Sequence, residues 1–119
     1  MSRFNENRWQ INTSVSARDA EPWVASGKLT TGTVIKNRPG LLGEIVVTAS
    51  DVGGDVDVIV WDSATSTTTN DEELARVRIP ETVAGTQSSF SAPSKEGVFA
   101  TDGIYVAVTG DCEFIVYYK

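Results

Sequence analysis

The stretch DVDVIVWD at residues 55–62 has the alternating pattern of an extended strand. Val56, Val58 and Val60 fall on one face of such a strand, and the opposite face begins acidic and ends aromatic. The stretch is also rich in β-branched residues, which favour strands over helices. A tract of small hydroxyl residues follows at 63–70, and we expect it to form a solvated loop. The stretch therefore predicts a strand of a sheet with one buried face.

Similar runs elsewhere in the chain extend this prediction to a larger β structure. Residues 44–49 and 55–61 flank a glycine-bearing turn and are predicted to pair as a hairpin. Residues 103–109 and 112–119 flank Gly110-Asp111 and give the strongest hairpin signal in the chain. The residues of this second pair predicted to share the core are Ile104, Val106, Val108, Cys112, Phe114 and Val116.

Weaker strand signals fill most of the remaining chain. They lie at residues 31–36, 74–79, 89–91 and 97–99. Residues 71–76 also fit a helical turn, but the alternation of Ala75, Val77 and Ile79 favours a strand, and 16–21 fit another helical turn. The fold class expected is all-β, an antiparallel β-sandwich or jelly roll of about seven or eight strands with an extended N-terminal arm.

The chain length of 119 residues suits a single core, which we place in a β-sandwich domain at 30–119, preceded by an arm at 1–29. Apolar side chains occur in the arm without a steady period. They are Phe4, Trp9, Ile11, Val15 and Trp23. Buried aromatics stabilise intermolecular and intramolecular contacts equally well. Two alternatives stay open: the arm docks on a neighbouring protein, or it folds back on its own sandwich.

Charge and composition exclude several function classes. Ten basic and sixteen acidic residues give a formal charge of −6, which disfavours nucleic acid as a partner. No apolar run is long enough to span a membrane, and the N-terminus lacks the apolar core of a signal peptide. We therefore expect synthesis in a cytoplasm and no membrane partner. The single cysteine, Cys112, lies in an alternating run between two acidic residues and is predicted to be a buried apolar residue.

The sequence offers few groups for catalysis. It has no histidine and one cysteine, and no phosphate-binding or nucleophile motif occurs. We expect no enzyme activity, no catalytic residues, no cofactor and no metal. A calcium site is the alternative, suggested by Asp51, Asp55, Asp57, Asp62 and Asp71. Because Asp55 and Asp57 would lie about 7 Å apart along one strand face, charged strand ends are the favoured interpretation.

From Val34 onward, several short motifs follow one another along the chain. The turn 37–40 contains Pro39-Gly40, a strand ends in Trp61-Asp62, and 103–110 reads GIYVAVTG before the final strand. This order resembles small all-β virion proteins of tailed bacteriophages. The hydroxyl-rich loop after Asp62 is longer than is typical of that group, and the arm at 1–29 lies outside the resemblance.

The resemblance implies a non-enzymatic virion structural protein made in the host cytoplasm, specifically a capsid decoration or cement protein on the capsid surface. The expected partners are the major capsid protein or other virion proteins, and the protein is expected to form a homo-oligomer. A tail, neck or fibre-associated protein is the nearest variant. The residues expected to bind the capsid combine arm aromatics with arginines, which pair with carboxylates. They are Arg3, Phe4, Arg8, Trp9, Arg18 and Trp23.

A carbohydrate-binding module for host recognition is the competing hypothesis. β-Sandwiches often bind sugars through exposed aromatic and carboxylate side chains, and fold alone does not decide between functions. The side chains considered for such a site are Trp61, Tyr105, Tyr117 and Tyr118, with Asp62 as the acceptor. In alternating strands, however, such aromatic residues more often pack on the sheet.

Overall fold

A computed structural model of the protein describes residues 23–51, 54–68, 71–81 and 83–119. These segments form nine strands and no helix. The strands are β1 (Val24–Ala25), β2 (Thr33–Lys36), β3 (Gly40–Ala49), β4 (Val56–Asp62), β5 (Glu72–Ile79), β6 (Gln87–Ser91), β7 (Val98–Ala100), β8 (Ile104–Thr109) and β9 (Cys112–Tyr118). The prediction of an all-β antiparallel sandwich is confirmed.

The strands form two antiparallel sheets. Sheet A has the order β1-β9-β3-β6, with β7 also paired to β3, and sheet B has the order β2-β8-β4-β5. Between β2 and β9 the chain changes sheet at most connections, and β4–β5 is the only pair of consecutive described strands that hydrogen-bond to each other. This winding between two sheets is that of a jelly roll.

The core lies between the two sheets and is built from the inward positions of each strand. Its buried apolar residues are Leu42, Ile45, Val47, Ala49, Val56, Val58, Val60, Ala75, Val77, Ile79, Ala100, Ile104, Val106, Cys112, Phe114 and Val116. Val108 is half-buried and packs against them. Phe114 is the largest fully buried side chain. The face assignments made for β4, β8 and β9 from alternation are therefore correct.

Both predicted hairpins are wrong. β3 lies in sheet A and β4 in sheet B, while β8 lies in sheet B and β9 in sheet A. Alternation shows which face of a strand is buried but not which strand is its neighbour, since a glycine turn can return within one sheet or cross the core to the other. The β3–β4 and β8–β9 connections both cross between the sheets.

These two crossings lie against each other at one end of the sandwich. The Ser50 N–H donates to the Asp111 carbonyl oxygen at 3.0 Å. Gly110 has a φ of 93°, and a Cβ there would collide with the backbone carbonyl of Asp55. A residue without a side chain is thus required where the two crossings meet.

The weaker strand predictions correspond to β2, β5, β6 and β7, and β5 is a strand rather than a helical turn. The helical turn considered at 16–21 lies outside the described residues. At the end of the arm segment, β1 pairs with β9 and Leu29 forms a bridge with Phe114. From Val24 onward the chain therefore contacts the sandwich. No helix in the described segments is long and apolar enough to cross a bilayer.

Candidate functional site: the Asp62 corner and the arm-entry surface

Asp62 ends β4 and is the centre of a hydrogen-bonded cluster. Alternation places its side chain on the core side, and the residue is only 5% exposed. Its carboxylate accepts hydrogen bonds from the Thr101 N–H at 3.0 Å, the Thr101 hydroxyl at 2.7 Å, the Asp102 N–H at 2.8 Å and the Gly103 N–H at 3.3 Å. A buried carboxylate is stable only when it is satisfied in this way. We name residues 62, 63 and 101–103 the Asp62 corner.

Ser63 fixes the start of the hydroxyl-rich loop. Its N–H donates to the Gly103 carbonyl at 3.1 Å. Its hydroxyl lies 2.7 Å from the Thr65 carbonyl oxygen and 2.9 Å from that of Thr67, and it accepts the Thr65 N–H at 3.2 Å. Residues 65–67 are exposed as predicted, but Ser63 is only 3% exposed. The loop therefore has a fixed base and an exposed tip.

The turn at 37–40 lies beside the same corner. A Cβ on Gly103 would lie 2.5 Å from the Lys36 carbonyl oxygen and 2.8 Å from that of Ser63. A Cβ on Gly40 would lie 2.7 Å from Cδ of the same lysine. The motifs that the sequence separates, Pro39-Gly40, Trp61-Asp62 and Asp102-Gly103, thus meet at one end of the sandwich.

The hydrogen bonds of the Asp62 corner also set the acidity of the carboxyl. Burial by itself raises the pKa of Asp62, but the hydrogen bonds from Asp102, Thr101 and Gly103 together outweigh burial and hold the pKa below its ordinary value. The charged form is therefore the one that the fold stabilises.

This lowered pKa predicts a specific loss of stability in acid. A group with a depressed folded-state pKa contributes stability above its unfolded pKa of about 3.9 and loses it as pH falls through the folded value. We expect Asp62→Asn to lower the free energy of unfolding by about 2 kcal/mol at neutral pH. The difference in free energy of unfolding between Asp62→Asn and wild type should narrow below about pH 4. Urea unfolding across this pH range measures it.

The comparison between wild type and Asp62→Asn isolates this carboxyl. Glu73 has a pKa lowered by hydrogen bonds from Arg76, so it contributes to acid sensitivity with the same sign in both proteins. A gap between the two proteins that stays constant from neutral to acid pH would show that the charge of Asp62 contributes nothing.

Three of the five acidic residues considered for calcium, Asp55, Asp57 and Asp62, are held by other contacts. Arg76 lies 3.0 Å from Asp57 and 3.0 Å from Glu73, and Arg78 lies 3.5 Å from Asp55, all across the sheet B surface. Asp62 is buried in its corner and is separated from these ion pairs. In the segments that the structure describes, no group of three or more acidic, histidine or cysteine residues is placed to hold a metal. The exposed ion pairs favour the interpretation as charged strand ends.

The aromatic residues considered for a sugar site do not form one platform. Trp61 and Tyr105 are cross-strand partners in sheet B, whereas Tyr117 and Tyr118 belong to β9 in sheet A. Asp62 already accepts four hydrogen bonds and does not serve as a sugar acceptor. A sugar site with this composition is therefore not assembled.

Cys112 is buried at 3% exposure, as predicted. Burial raises the pKa of its thiol, and the neighbouring charges of Asp111 and Glu113 raise it further. The thiolate needed for reaction is thus disfavoured.

Among the residues predicted to bind a capsid, the structure describes Trp23, and the other five lie outside the described residues. The Trp23 indole packs against β3, where a Cβ on Gly43 would lie 3.0 Å from its ring carbons. A Cβ on Gly97 would lie 2.8 Å from the ring, and the Lys119 ammonium lies 4.5 Å from its centroid. Trp23 thus follows the alternative in which an arm aromatic packs on its own sandwich, and capsid binding by this residue stays a prediction.

The contacts of Trp23 predict that it stabilises the fold. Trp23→Ala should lower the free energy of unfolding by about 1–3 kcal/mol, since the ring is half-buried and also forms a cation–π contact. Val24→Ala is the matched control, because Val24 is 50% exposed and its truncation should cost less than about 0.5 kcal/mol. Chemical denaturation of both variants measures this. Equal stability of Trp23→Ala and wild type would contradict an internal anchoring role.

Two depressions flank the point where the arm enters the sandwich. A shallow cleft of about 290 Å³ is lined by Trp23, Gly43, Glu44, Ser91, Ala92, Ser94, Lys95 and Tyr117. A larger groove of about 790 Å³ is lined by Val24, Val34, Ile35, Lys36, Asn37, Arg38, Tyr118 and Lys119. We call the second depression the edge groove. Sequence reasoning missed it because its residues come from β1, β2 and β9, which are distant in the chain.

The chain was compared with models of known protein families, with curated proteins and with solved structures, and none of the three comparisons gives a match.

Proposed function

We propose that the protein is a non-enzymatic structural component of a tailed-phage virion, a capsid decoration or cement protein that binds and stabilises the head shell. The observation that carries this proposal is the convergence of the resemblance motifs at the Asp62 corner. Pro39-Gly40, Trp61-Asp62 and Asp102-Gly103 are distant in sequence, yet the Asp62 carboxylate binds residues 101–103, Gly103 lies against the Lys36 carbonyl, and the Lys36 side chain lies beside Gly40. They therefore act as fold determinants, which is the use expected if they mark a structural family.

The jelly-roll winding supports the same proposal. Jelly rolls are frequent in viral capsid proteins and in lectins. The fold alone does not choose between those uses. In the described chain, the side chains that could take part in catalysis or ligand binding have structural roles instead. Asp62 holds a loop, Asp57 pairs with Arg76, and Cys112 is in the core.

Attachment is assigned to the arm. Residues 1–22 precede Trp23, and an extended segment of that length reaches about 75 Å, enough to contact a neighbouring capsid subunit. Three of the predicted contacts, Arg3, Arg8 and Arg18, would pair with shell carboxylates, and Phe4 and Trp9 would fill apolar pockets. Trp23 fixes the point on sheet A from which the arm starts.

Carbohydrate binding is the second candidate, favoured by the cleft on sheet A. This cleft combines two aromatic residues, Trp23 and Tyr117, with Glu44 and Lys95. Aromatic faces with a few polar groups are typical of ligand sites, although this cleft is at the small end of their size range.

The test of the proposed function is to find the protein in purified virions of the phage that encodes it. Quantitative mass spectrometry should detect it at a copy number comparable to that of the major capsid protein. A low copy number, comparable to that of tail components, would instead place it in the neck, tail or fibre. Its absence from the particle would contradict every virion role.

A second measurement separates cementing from mere presence. Particles of a phage that lacks the gene should release their DNA at a lower temperature than wild-type particles. Adding the purified protein should raise this temperature back to the wild-type value. The quadruple variant Arg3→Ala, Phe4→Ala, Arg8→Ala, Trp9→Ala should fail to raise the release temperature. Equal heat stability with and without the protein would contradict cementing, and binding to a glycan array would favour the second candidate.

A further inference from the structure

Within the described segments, one side of the sandwich is open. β1 is the edge strand of sheet A and β2 is the edge strand of sheet B, and the edge groove lies between them. On the opposite side, β5 and β6 lie close together across the two sheets. Sheet B thus has two edge strands in the described segments: β5, which lies close to β6 of sheet A, and β2, which borders the edge groove.

The β2 edge is suited to accept a further strand. β2 has four residues and pairs with β8 on one side only. The N–H and C=O groups directed away from β8 are a template for strand addition. Val34 on β2 is 38% exposed and Val24 across the groove is 50% exposed, so both offer apolar contacts to an incoming segment.

The charge of the edge groove contrasts with that of the whole protein. Lys36, Arg38 and Lys119 line it, and none of its described lining residues is acidic, although the chain carries a net charge of −6. Within the described segments, Arg76 and Arg78 have carboxylate partners, whereas no ion pair involves Lys36 or Arg38. Lys36 and Arg38, beside the exposed valines, favour a ligand that is both acidic and aliphatic, and Lys119 adds positive charge although its ammonium also contacts the Trp23 ring.

We propose that the edge groove binds an extended acidic segment of a partner protein, which adds to β2 as an extra strand. Carboxylates of the segment would pair with Lys36, Arg38 and Lys119, and its alternate aliphatic side chains would contact Val24 and Val34. The groove is distinct from the arm residues of the proposed function, so this inference holds for any partner, whether or not it is part of a virion.

A protein segment fits better than nucleic acid, which is also acidic. The overall charge of −6 repels a phosphate backbone, and three cations cannot offset that repulsion along a polynucleotide. The free strand edge and the two valines match a peptide backbone and aliphatic side chains.

The test measures fluorescence anisotropy of labelled probes with the full-length protein. The main probe is a pool of short peptides that alternate Val, Ile, Leu or Thr with Asp or Glu. The comparison probes are the same pool with Lys or Arg at the charged positions, the acidic pool with N-methylated backbone amides, and single-stranded DNA. We expect binding of the unmodified acidic pool, at least about tenfold weaker binding of the N-methylated pool, and none of the basic pool.

Two double variants test the location. Lys36→Glu with Arg38→Glu should weaken binding of the acidic pool by about tenfold or more. The control, Lys28→Glu with Lys95→Glu, makes the same change in net charge outside the edge groove and should leave binding unchanged.

Several results would overturn the proposal. They are equal loss of binding in both double variants, no preference for the acidic pool over the basic one, unchanged binding of the N-methylated pool, and DNA binding as tight as peptide binding. Sedimentation of the protein alone adds one more: self-association abolished by Lys36→Glu with Arg38→Glu would show that a second copy occupies the groove. The virion experiment can fail without affecting any of these measurements.

Discussion

Replacing Asp62 with alanine is expected to lower the free energy of unfolding by about 3–4 kcal/mol. The substitution removes the acceptor of three backbone N–H groups, those of Thr101, Asp102 and Gly103, in a corner where Asp62 is 5% exposed. Leaving a buried N–H donor without an acceptor costs more free energy than an ordinary hydrogen bond contributes to folding. Urea or guanidinium unfolding, followed by tryptophan fluorescence, measures the loss.

Asp102→Ala is the matched control for this prediction. Its side chain is at an exposed position, and its backbone N–H still donates to Asp62 after the substitution. We expect a change within about 0.5 kcal/mol. If the two alanine variants were equally stable, the Asp62 carboxylate would not be what holds residues 101–103 to the end of β4.

Gly110→Ala is the second substitution with a large expected effect, about 2–4 kcal/mol of lost stability. The backbone at Gly110 has a φ of 93°, which costs an L-residue about 1–2 kcal/mol. The new Cβ also collides with the Asp55 carbonyl, so one of the two crossings between the sheets must shift. Thermal and chemical unfolding of the variant measure the combined cost.

Gly85→Ala separates strain from collision. Gly85 has a similar φ of 88°, but a Cβ there meets nothing within 4 Å. Its substitution should cost only the conformational term, about 1 kcal/mol. An equal loss at both glycines would mean that the contact between the crossings near Asp55 relaxes freely and does not contribute to stability.

The sequence was sufficient for β2 to β9 and for the buried faces of the strongest of them, but not for β1, which lies in the segment assigned to the arm. Val56, Val58 and Val60 are buried because alternation has a period of two residues, and that period is a local property of the chain. The pairing of strands is not local. The turn at Gly110-Asp111 has the composition of a hairpin turn but joins β8 in one sheet to β9 in the other.

The candidate sites show the same limit. Trp61-Asp62 was recognised as a motif, but the role of Asp62 depends on residues 101–103, which lie far along the chain. The edge groove was missed for a similar reason, because Lys36 and Lys119 come together only through the order of strands in two sheets. Runs of polar residues between strands gave no sign of either arrangement.

The position of the last two strands has a consequence for how the protein reaches its native state. β8 lies between β2 and β4, and β9 lies between β1 and β3, so the final part of the chain fills the middle of both sheets. While the polypeptide is being synthesised, the earlier strands lack their central partners and cannot close a core. Such non-local pairing also slows folding, because the chain must close long loops before the contacts form. The sandwich is therefore expected to assemble in one cooperative step once β8 and β9 are available, rather than progressively strand by strand.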